Sequence, residues 1–358
     1  MTRDYSKFLL PTGAGGSAKR ILSKLDALGW QPYFAQQTSI EELAETPPVR
    51  VTEVHRNGLH ILGEKTDQLI QPMPDVTVGD WLLLNHEHPK SSTILERKSL
   101  IKRRAPGSDR QIQLIAANID TAFIVSSCNQ DFNIARLERY IALAFEADVS
   151  PVSVLTKTDL CKTPQSYVDE AQAISELVPV IVLDARGAEP GEKLSAWCKT
   201  GQTVAFLGSS GVGKSTLTNA LSGMQTIETQ GIREDDAKGR HTTTRRQLHL
   251  VEGACAVLDT PGMRELQLTD ASSGVADVFS DLQALSQQCR FTDCQHETEP
   301  GCAILGSLER GEVDAARLAR WRKLLAEEQF NTSSLAERKA KDKALGKTIR
   351  QIMKAKKR

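Results

Sequence analysis

Glycine, lysine and hydroxyl residues occur in the stretch GSSGVGKST at the spacing of a phosphate-binding loop. The stretch lies between an apolar run, QTVAFLG, and a run with helical character, STLTNALSG. In such loops the glycines let backbone N–H groups approach phosphates, the lysine contacts the β- and γ-phosphates, and the serine hydroxyl binds Mg²⁺. Lys214 and Ser215 are therefore predicted catalytic residues, with Ser215 as the magnesium ligand; a chance glycine-rich turn is the alternative. The predicted nucleotide-binding residues of the loop are Gly208, Ser209, Ser210, Gly211, Val212, Gly213, Lys214, Ser215 and Thr216.

The segment LDTPG supplies a second set of residues for a phosphate site. Asp259 ends an apolar run and is predicted to hold Mg²⁺ through a water molecule, and the Gly262 N–H is predicted to meet the γ-phosphate. The D-x-x-G pattern is weak alone, but here it follows the phosphate-binding loop by about fifty residues. Together the two segments predict a site for a nucleoside triphosphate.

The polar stretch between these segments contains GRHTTT. Thr242 or Thr243 is predicted to close over Mg²⁺ when GTP is bound, and a plain surface loop is the alternative. Met263 follows DTPG, where classical GTPases often place a water-orienting Gln, and a thioether cannot orient water. His241 is a candidate substitute, with a backbone-positioning role as the alternative. We therefore expect slow hydrolysis by the isolated protein.

Thr156, Lys157, Thr158 and Asp159 fit the [N/T]-K-x-D pattern with which GTPases recognise guanine. The Asp159 carboxylate is expected to accept hydrogen bonds from guanine N1–H and N2–H₂, a donor pair that adenine lacks. The stem of Lys157 is expected to lie along the base. This loop precedes the phosphate-binding loop, whereas it follows that loop in an ordinary GTPase. The sequence therefore predicts a circularly permuted GTPase domain, which a doubly wound sheet tolerates because chain ends can be joined elsewhere.

Three cysteines and a histidine are clustered as Cys289-x4-Cys294-x-His296-x5-Cys302. Three thiolates and an imidazole form a closed set suited to tetrahedral structural zinc, with unpaired core cysteines as the alternative. The other cysteines are scattered singly, which is typical of a reducing compartment and not of a disulfide framework.

These motifs need strands and helices that place them at one edge of a sheet. Short apolar runs at 121–127, 151–156, 179–183, 202–208 and 255–260 alternate with helical stretches, as in a parallel sheet covered on both faces. Between residues 49 and 99, five short β-rich runs separated by turn signals favour a small barrel of the oligonucleotide-binding (OB) kind. Another small β-domain is the alternative.

The predicted fold class is therefore multidomain α/β, with an OB-like barrel, a permuted P-loop GTPase domain and a zinc-binding helical module. The predicted segments are a mobile N-terminal arm with a short helix (1–45), the OB-like β-barrel (46–105), the GTPase domain (112–285), the zinc-binding module (286–336) and a basic tail (337–358).

The zero formal net charge of the chain conceals a charged terminus. Residues 337–358 contain ten Lys or Arg and two acidic residues, and the rest of the chain holds 35 basic and 43 acidic side chains. A basic tail on an acidic body predicts a polyanionic partner, with a solvated, frayed terminus as the alternative. No apolar run approaches the length of a membrane span and no secretory signal is recognisable, so we expect a cytoplasmic protein.

The combination of a β-barrel, TKTD before GSSGVGKST, HTTT, DTPG and the Cys/His cluster resembles the ribosome small-subunit-dependent GTPase A family over residues 48–330. This resemblance implies a bacterial, cytoplasmic GTP hydrolase that acts late in maturation of the small ribosomal subunit and is stimulated by that subunit. It also implies that the barrel and the zinc module contact ribosomal RNA. One departure is Asp184-Ala185, where the family commonly has Ser-Ala behind the guanine base.

The leading hypothesis is thus a monomeric GTPase that binds GTP and GDP with Mg²⁺ and carries one structural Zn²⁺. A second hypothesis is an RNA-binding assembly factor that uses GTP as a conformational ligand with incidental turnover. A P-loop ATPase or transporter subunit is disfavoured by Asp159 and by the lack of membrane segments.

Overall fold

The computed structural model describes residues 23–104, 112–222, 246–251, 254–259 and 270–332 of the 358-residue chain. The predictions for the first 22 residues, for His241, Thr242, Thr243 and Gly262, and for the tail at 337–358 lie outside these ranges. The strands are β1 Pro48–His55, β2 Gly58–Gly63, β3 Asp67–Ile70, β4 Trp81–Leu83, β5 Thr93–Ile94, β6 Leu100–Arg104, β7 Ile112–Ala117, β8 Thr121–Ser127, β9 Ser150–Thr156, β10 Val180–Val182, β11 Thr203–Gly208, β12 Arg246–Leu250 and β13 Ala256–Asp259. The α-helices are α1 Lys24–Leu28, α2 Pro32–Ala35, α3 Ile40–Glu45, α4 Ile134–Glu146, α5 Pro164–Gln172, α6 Glu189–Lys193, α7 Lys214–Ser222, α8 Ser272–Val278, α9 Ser280–Ser286, α10 Ala303–Glu309 and α11 Ala315–Thr332.

The central sheet has the strand order β10-β9-β8-β11-β13-β12. Its first five strands are parallel, and β12 pairs antiparallel with β13. Strand β11 lies between β8 and β13, although it follows both β9 and β10 along the chain. This order places the strand before GSSGVGKST in the middle of the sheet, and the carboxyl ends of parallel strands there are where α/β proteins bind ligands.

The parallel strands form because their residues are apolar on both faces. Every residue of β8 and of β11 is buried. Phe123 of β8 stacks on Phe206 of β11 with ring centroids 5.3 Å apart, and Val154 and Val257 belong to the same core cluster. The five strand runs predicted in this region are therefore confirmed, with bounds that differ by a residue or two at their ends.

Strands β1 to β5 are antiparallel and cover a second core cluster that includes Val49, Ile61 and Leu82. Two features of this region were not predicted. Strand β1 also pairs with β12, through Glu53↔Gln247 and Val54↔Arg246, so the N-terminal strands and the α/β strands share one eleven-stranded sheet. Strands β6 and β7 form a separate two-stranded sheet, and β6 includes the first three residues of the polar stretch KRRAPGSDRQ.

The described part of the N-terminal arm differs from the mobile arm with one short helix that we predicted. Residues from Lys24 onward form the three short helices α1, α2 and α3. Phe34 is buried, and the rings of Trp30 and Phe34 both pack against Trp81 of β4. The buried Arg50 guanidinium donates to the Leu28 carbonyl at the end of α1. Aromatic packing and this hydrogen bond fix α1 and α2 to the N-terminal strands.

The chain divides into two compact units, Met1–Leu266 and Gln267–Arg358. The second unit contains α8 to α11 and the Cys/His cluster, so it includes α8 and α9, which we assigned from sequence to the GTPase domain. The five-segment division of the chain remains a prediction. Among the residues that the structure describes, no helix has the length and apolarity needed to cross a membrane.

Candidate nucleotide-binding site and metal centre

The loop between β11 and α7 has the backbone conformation that its glycines permit. Gly208 has φ of 144°, and a Cβ there would lie 2.3 Å from the Val125 carbonyl oxygen on the neighbouring strand β8. Gly211 and Gly213 have φ of 77° and 101°, in the left-handed region that side chains disfavour. Glycines at these positions are therefore required by the turn itself. The loop ends where α7 begins at Lys214, so its backbone N–H groups and the helix terminus offer positive potential to an anion.

The Lys214 ammonium group is held over the loop. Its Nζ donates to the Gly208 carbonyl at 2.7 Å and also to the Ser209 carbonyl. These bonds place the cation at the strand end of the loop. This arrangement fits the predicted contact of Lys214 with the β- and γ-phosphates of a nucleotide.

The TKTD segment, residues 156–159, is hydrogen-bonded directly to the phosphate-binding loop. Thr156 is fully buried at the end of β9, and its hydroxyl group donates to the Val212 carbonyl at 2.6 Å. The same oxygen lies 3.2 Å from the Ser126 carbonyl at the end of β8. The Cβ position of Gly213 is only 3.7 Å from this hydroxyl oxygen. One threonine thus joins residues that the chain separates by more than fifty positions, a role that its sequence pattern did not predict.

The next residues of TKTD turn sharply away from the sheet. Lys157 adopts a left-handed conformation with φ of 60° and is followed by a short 3₁₀ helix, Thr158–Leu160. Asp159 lies in that turn and is exposed. An exposed carboxylate directly after a strand end remains available to a ligand. This position fits the predicted recognition of guanine by Asp159, which remains a prediction.

The Asp184-Ala185 pair lies beside the same loop. Ala185 is buried, and its Cβ lies 3.6 Å from the Cβ position of Gly213. Asp184 caps its own turn: its Oδ1 accepts from the Arg186 N–H at 2.9 Å. The small side chain of Ala185 is thus required by close approach to the phosphate-binding loop, while the Asp184 carboxylate stabilises the turn.

Asp259 is the last residue of β13, which pairs in parallel with β11. Its backbone therefore lies at the carboxyl edge of the sheet, beside the strand that leads into the phosphate-binding loop. The predictions for Thr242, Thr243, His241 and Gly262 fall outside the described residues. Of the predicted triphosphate site, the structure describes the phosphate-binding loop, the TKTD turn and the strand that ends in Asp259.

A further contact to the loop comes from α4. Arg136, in the first turn of that helix, donates from Nη1 to the Ser209 hydroxyl. No sequence pattern indicates Arg136, because one arginine in an amphipathic helix has no local signature. The topology would have indicated it, since helix α4 follows β8 and β8 lies beside β11.

The predicted metal ligands meet in the second compact unit. The ligand atoms of Cys289, Cys294, His296 and Cys302 all lie within 4.8 Å of one another. Cys289 Sγ and Cys302 Sγ are 3.9 Å apart, and each lies 3.5 Å from His296 Nδ1. Tetrahedral zinc with Zn–S bonds of about 2.3 Å places its sulfur ligands about 3.8 Å apart. The cluster therefore has the dimensions of a Zn²⁺ site and can bind one structural metal ion.

The surroundings of His296 favour its metal-binding form, and helix α10 positions Cys302. Burial, together with the charge of Arg322, lowers the pKa of His296, which favours the neutral imidazole that binds metal. Cys302 caps α10, and its sulfur accepts from the Leu305 N–H at 3.5 Å. The ring of Trp321 lies 5.5 Å from that of His296 and covers one side of the site. The ligands are thus positioned by helix α10 and by packing against α11.

Comparison with known proteins places the chain in a family. The family model described as RsgA GTPase matches residues 94–269. A protein of Vibrio parahaemolyticus, named small ribosomal subunit biogenesis GTPase RsgA 2, is 47% identical over 333 residues, which cover 92% of this chain and 92% of that protein. The chain belongs to the RsgA GTPase family. The chain is accordingly a GTP hydrolase by family, and the predicted resemblance is confirmed.

Two solved structures agree with the fold. The crystal structure of YjeQ from Thermotoga maritima is 25% identical, with a TM-score of 0.56 over 78% of this chain and 97% of that one. The structure of YloQ, described as a circularly permuted GTPase, has a TM-score of 0.56 at 22% identity and covers 83% of this chain and 100% of that one. Together with the strand order, they confirm the predicted fold class, including the circular permutation.

Proposed function

We propose that the protein hydrolyses GTP to GDP and phosphate as a late maturation factor of the small ribosomal subunit. The hydrogen bond from Thr156 to the Val212 carbonyl is the observation that carries the GTP-binding part of this proposal. It joins the guanine-recognition segment to the phosphate-binding loop, so one ligand that contains both guanine and phosphates would contact both. The subunit named in the description of the Vibrio relative supports the maturation part.

Guanine selectivity is assigned to Asp159, whose exposed carboxylate suits the donor pair of the base. Lys214 is assigned to the β- and γ-phosphates, where its charge offsets the charge that spreads over the transferred phosphoryl group. Ser215 and Asp259 would hold Mg²⁺, and hydroxyl and carboxylate oxygens are the ligands that this hard cation prefers. Mg²⁺ held there would supply positive charge that offsets the charge of the phosphates.

The candidate water-orienting residue, His241, lies outside the residues that the structure describes. Met263 follows the DTPG motif, and its thioether has no donor that orients water. We therefore assign slow hydrolysis to the free protein and faster hydrolysis to the protein bound to the small subunit, with His241 as the candidate residue of the chain. Activation by a partner is an established arrangement in GTPases.

The zinc module, the N-terminal barrel and the basic tail at 337–358 are assigned to ribosomal RNA. The ten cationic side chains of the tail suit a polyanion, and zinc would hold the loop of the Cys/His cluster in one conformation. We further propose that the protein is a monomer in the cytoplasm. The tail and the metal site thus supply binding, while the GTPase site reports nucleotide state.

The test is hydrolysis of GTP and of ATP, measured with no addition, with purified small subunits and with purified large subunits. We expect slow hydrolysis of GTP alone, stimulation by small subunits only, and no hydrolysis of ATP. Lys214→Ala should abolish turnover in all arms while leaving the melting temperature of the nucleotide-free protein nearly unchanged, because Lys214 contacts loop carbonyls and not the core. Small-subunit binding without any GTP turnover would instead support an RNA-binding assembly factor.

A further inference from the structure

A second cation lies at the phosphate-binding loop. Arg136 follows the helix cap of α4, where the Asn133 side chain accepts from the Arg136 N–H at 3.0 Å. Strand β8, which leads to α4, pairs with β11 as far as Val125↔Gly208. The register of these two strands therefore brings the first turn of α4 next to the loop that follows β11. The Arg136 guanidinium there donates to the Ser209 hydroxyl.

The charge of this guanidinium is not matched by a carboxylate within the described ranges of the chain. Arg136 is exposed, and a neutral serine hydroxyl is its hydrogen-bond partner. The Lys214 ammonium group also donates to Ser209, at its carbonyl oxygen. Two cations thus converge on one serine of the loop. A polyanion offers both cations charged acceptors, and charge-assisted hydrogen bonds are about twice as strong as neutral ones.

The position of Ser209 indicates which part of a nucleotide these cations face. Lys214 is the residue of such loops that contacts the β- and γ-phosphates, and here its ammonium group reaches the Ser209 carbonyl. The side of the loop toward guanine is marked instead by Val212, which accepts from Thr156. Ser209 consequently lies at the end of the loop that faces the terminal phosphate. Arg136 contacts the side chain of Ser209, so its guanidinium lies at the same end.

We infer that Arg136 contacts the terminal phosphate of bound GTP, exchanging the Ser209 hydroxyl for a phosphate oxygen. This inference rests on the proposed function and assigns a substrate contact to a residue outside the recognised motifs. In the hydrolysis, a bond forms between the oxygen of water and the γ-phosphorus, and the bond from that phosphorus to the β–γ bridging oxygen breaks. The electron pair of the broken bond goes to GDP. One proton of the water stays on the attacking oxygen, and the other goes to a second oxygen of the released phosphate. An arginine supplied by the same chain stabilises charge on the phosphoryl oxygens during this transfer.

The experiment compares Arg136→Ala and Arg136→Lys with wild type in three measurements. These are the dissociation constants for GDP and for a non-hydrolysable GTP analogue, and the rate of GTP hydrolysis without subunits. For Arg136→Ala we expect binding of the analogue to weaken by at least about fivefold, with GDP affinity within about twofold of wild type. Hydrolysis should fall by at least about tenfold, and Arg136→Lys should fall between Arg136→Ala and wild type, because lysine keeps the charge but not the planar fork.

Lys199→Ala is the matched control, since it removes one exposed positive charge near β11, the strand that leads into the phosphate-binding loop. Lys199 precedes β11 in the turn where its carbonyl accepts from the Gln202 N–H, at the opposite end of that strand from the phosphate-binding loop. This variant should bind both nucleotides like wild type. Thermal melting of each variant establishes that it is folded.

Equal weakening for GDP and for the analogue in Arg136→Ala would mean that Arg136 braces the loop, and the inference would be wrong. Unchanged analogue binding and hydrolysis would also overturn it. Failure of the wild-type protein to bind guanine nucleotides is a different outcome, because it would contradict the proposed function itself. The wild-type arm therefore separates the two failures.

Discussion

Replacement of Thr156 by valine tests whether the guanine-recognition segment holds the phosphate-binding loop. Valine has nearly the same shape as threonine but lacks the hydroxyl group. The substitution removes the 2.6 Å hydrogen bond to the Val212 carbonyl and the weaker 3.2 Å contact to the Ser126 carbonyl. Because Thr156 is fully buried at the end of β9, water cannot replace the lost donor without opening the site.

The expected cost follows from the environment of these groups. Leaving a buried acceptor without its donor costs about 1–3 kcal/mol, so we expect the free energy of unfolding to fall by about 2 kcal/mol. The hydrogen bond supports the loop in any nucleotide state. Since about 1.4 kcal/mol corresponds to a tenfold change in an equilibrium constant, affinities for GDP and for a GTP analogue should both fall by as much as about tenfold. This equal loss differs from the selective loss expected for Arg136→Ala.

Denaturant unfolding with and without nucleotide, together with fluorescent nucleotide binding, measures both quantities. Thr156→Ser keeps the hydroxyl and should retain nucleotide affinity, with only the cost of a buried methyl group, about 1 kcal/mol. Ser153→Ala is a second control on the same strand. Ser153 is fully buried, and its hydroxyl has no hydrogen-bond partner in the described part of the chain. Its removal should therefore leave stability almost unchanged or raise it.

Equal free energies of unfolding for Thr156→Val and Ser153→Ala, with wild-type nucleotide binding in both, would contradict this prediction. That result would mean that the phosphate-binding loop keeps its conformation without Thr156. A loss of stability with unchanged affinities would limit the role of Thr156 to the core.

Asp159→Asn should weaken GTP binding by at least about tenfold and improve binding of xanthosine triphosphate, whose C2 oxygen suits an amide donor; an isothermal titration that shows wild-type GTP affinity would contradict this. Atomic emission should find one zinc ion per chain in the purified protein, and Cys302→Ser should lose this zinc while guanine-nucleotide binding persists. Wild-type protein that is free of metal after purification without chelators would exclude the site. Arg50→Met should lower the free energy of unfolding by about 2–4 kcal/mol, because the guanidinium donates to three backbone carbonyls that would lose their donor. Arg50 is buried, and burial lowers its pKa to about 10. A change below about 1 kcal/mol in denaturant unfolding would contradict this prediction.

Local patterns in the sequence predicted the parts of the structure that depend on local forces. The parallel strands were predictable because each is a short apolar run. The loop at Gly208 was predictable because its glycines occupy positive-φ positions that other residues avoid. The Cys/His spacing predicted the metal centre for a similar reason, since four ligands close in sequence can reach one ion with little chain to fold.

Pairings between distant segments were not predictable in this way. In β12, Leu248 is buried and the residues on either side of it are half-buried, so the segment has no apolar run to identify it as a strand. Its pairing with β1 joins residues almost two hundred positions apart. Arg136 and Thr156 were missed as loop contacts for the same reason, because their partners come together only through the order of the strands. One short helix was predicted before β1, but α2 was not, because its Phe34 needs Trp81, a distant residue, to bury its ring.

The strand order of the central sheet has a consequence for how the chain folds as it is synthesised. Of the six central strands, β8, β9 and β10 are synthesised first, and β9 and β10 can each add to an edge that is already there. Strand β11 then adds to the free edge of β8. The strands β12 and β13 are synthesised last, and they pair with β11 on one side and with β1 on the other, so they join the α/β strands to the N-terminal strands. Because domains fold largely as units during synthesis, the edge of β11 stays open until Asp259 has been made. The sheet and the nucleotide site are thus completed by the same short segment, and a nascent chain that stops before it has neither.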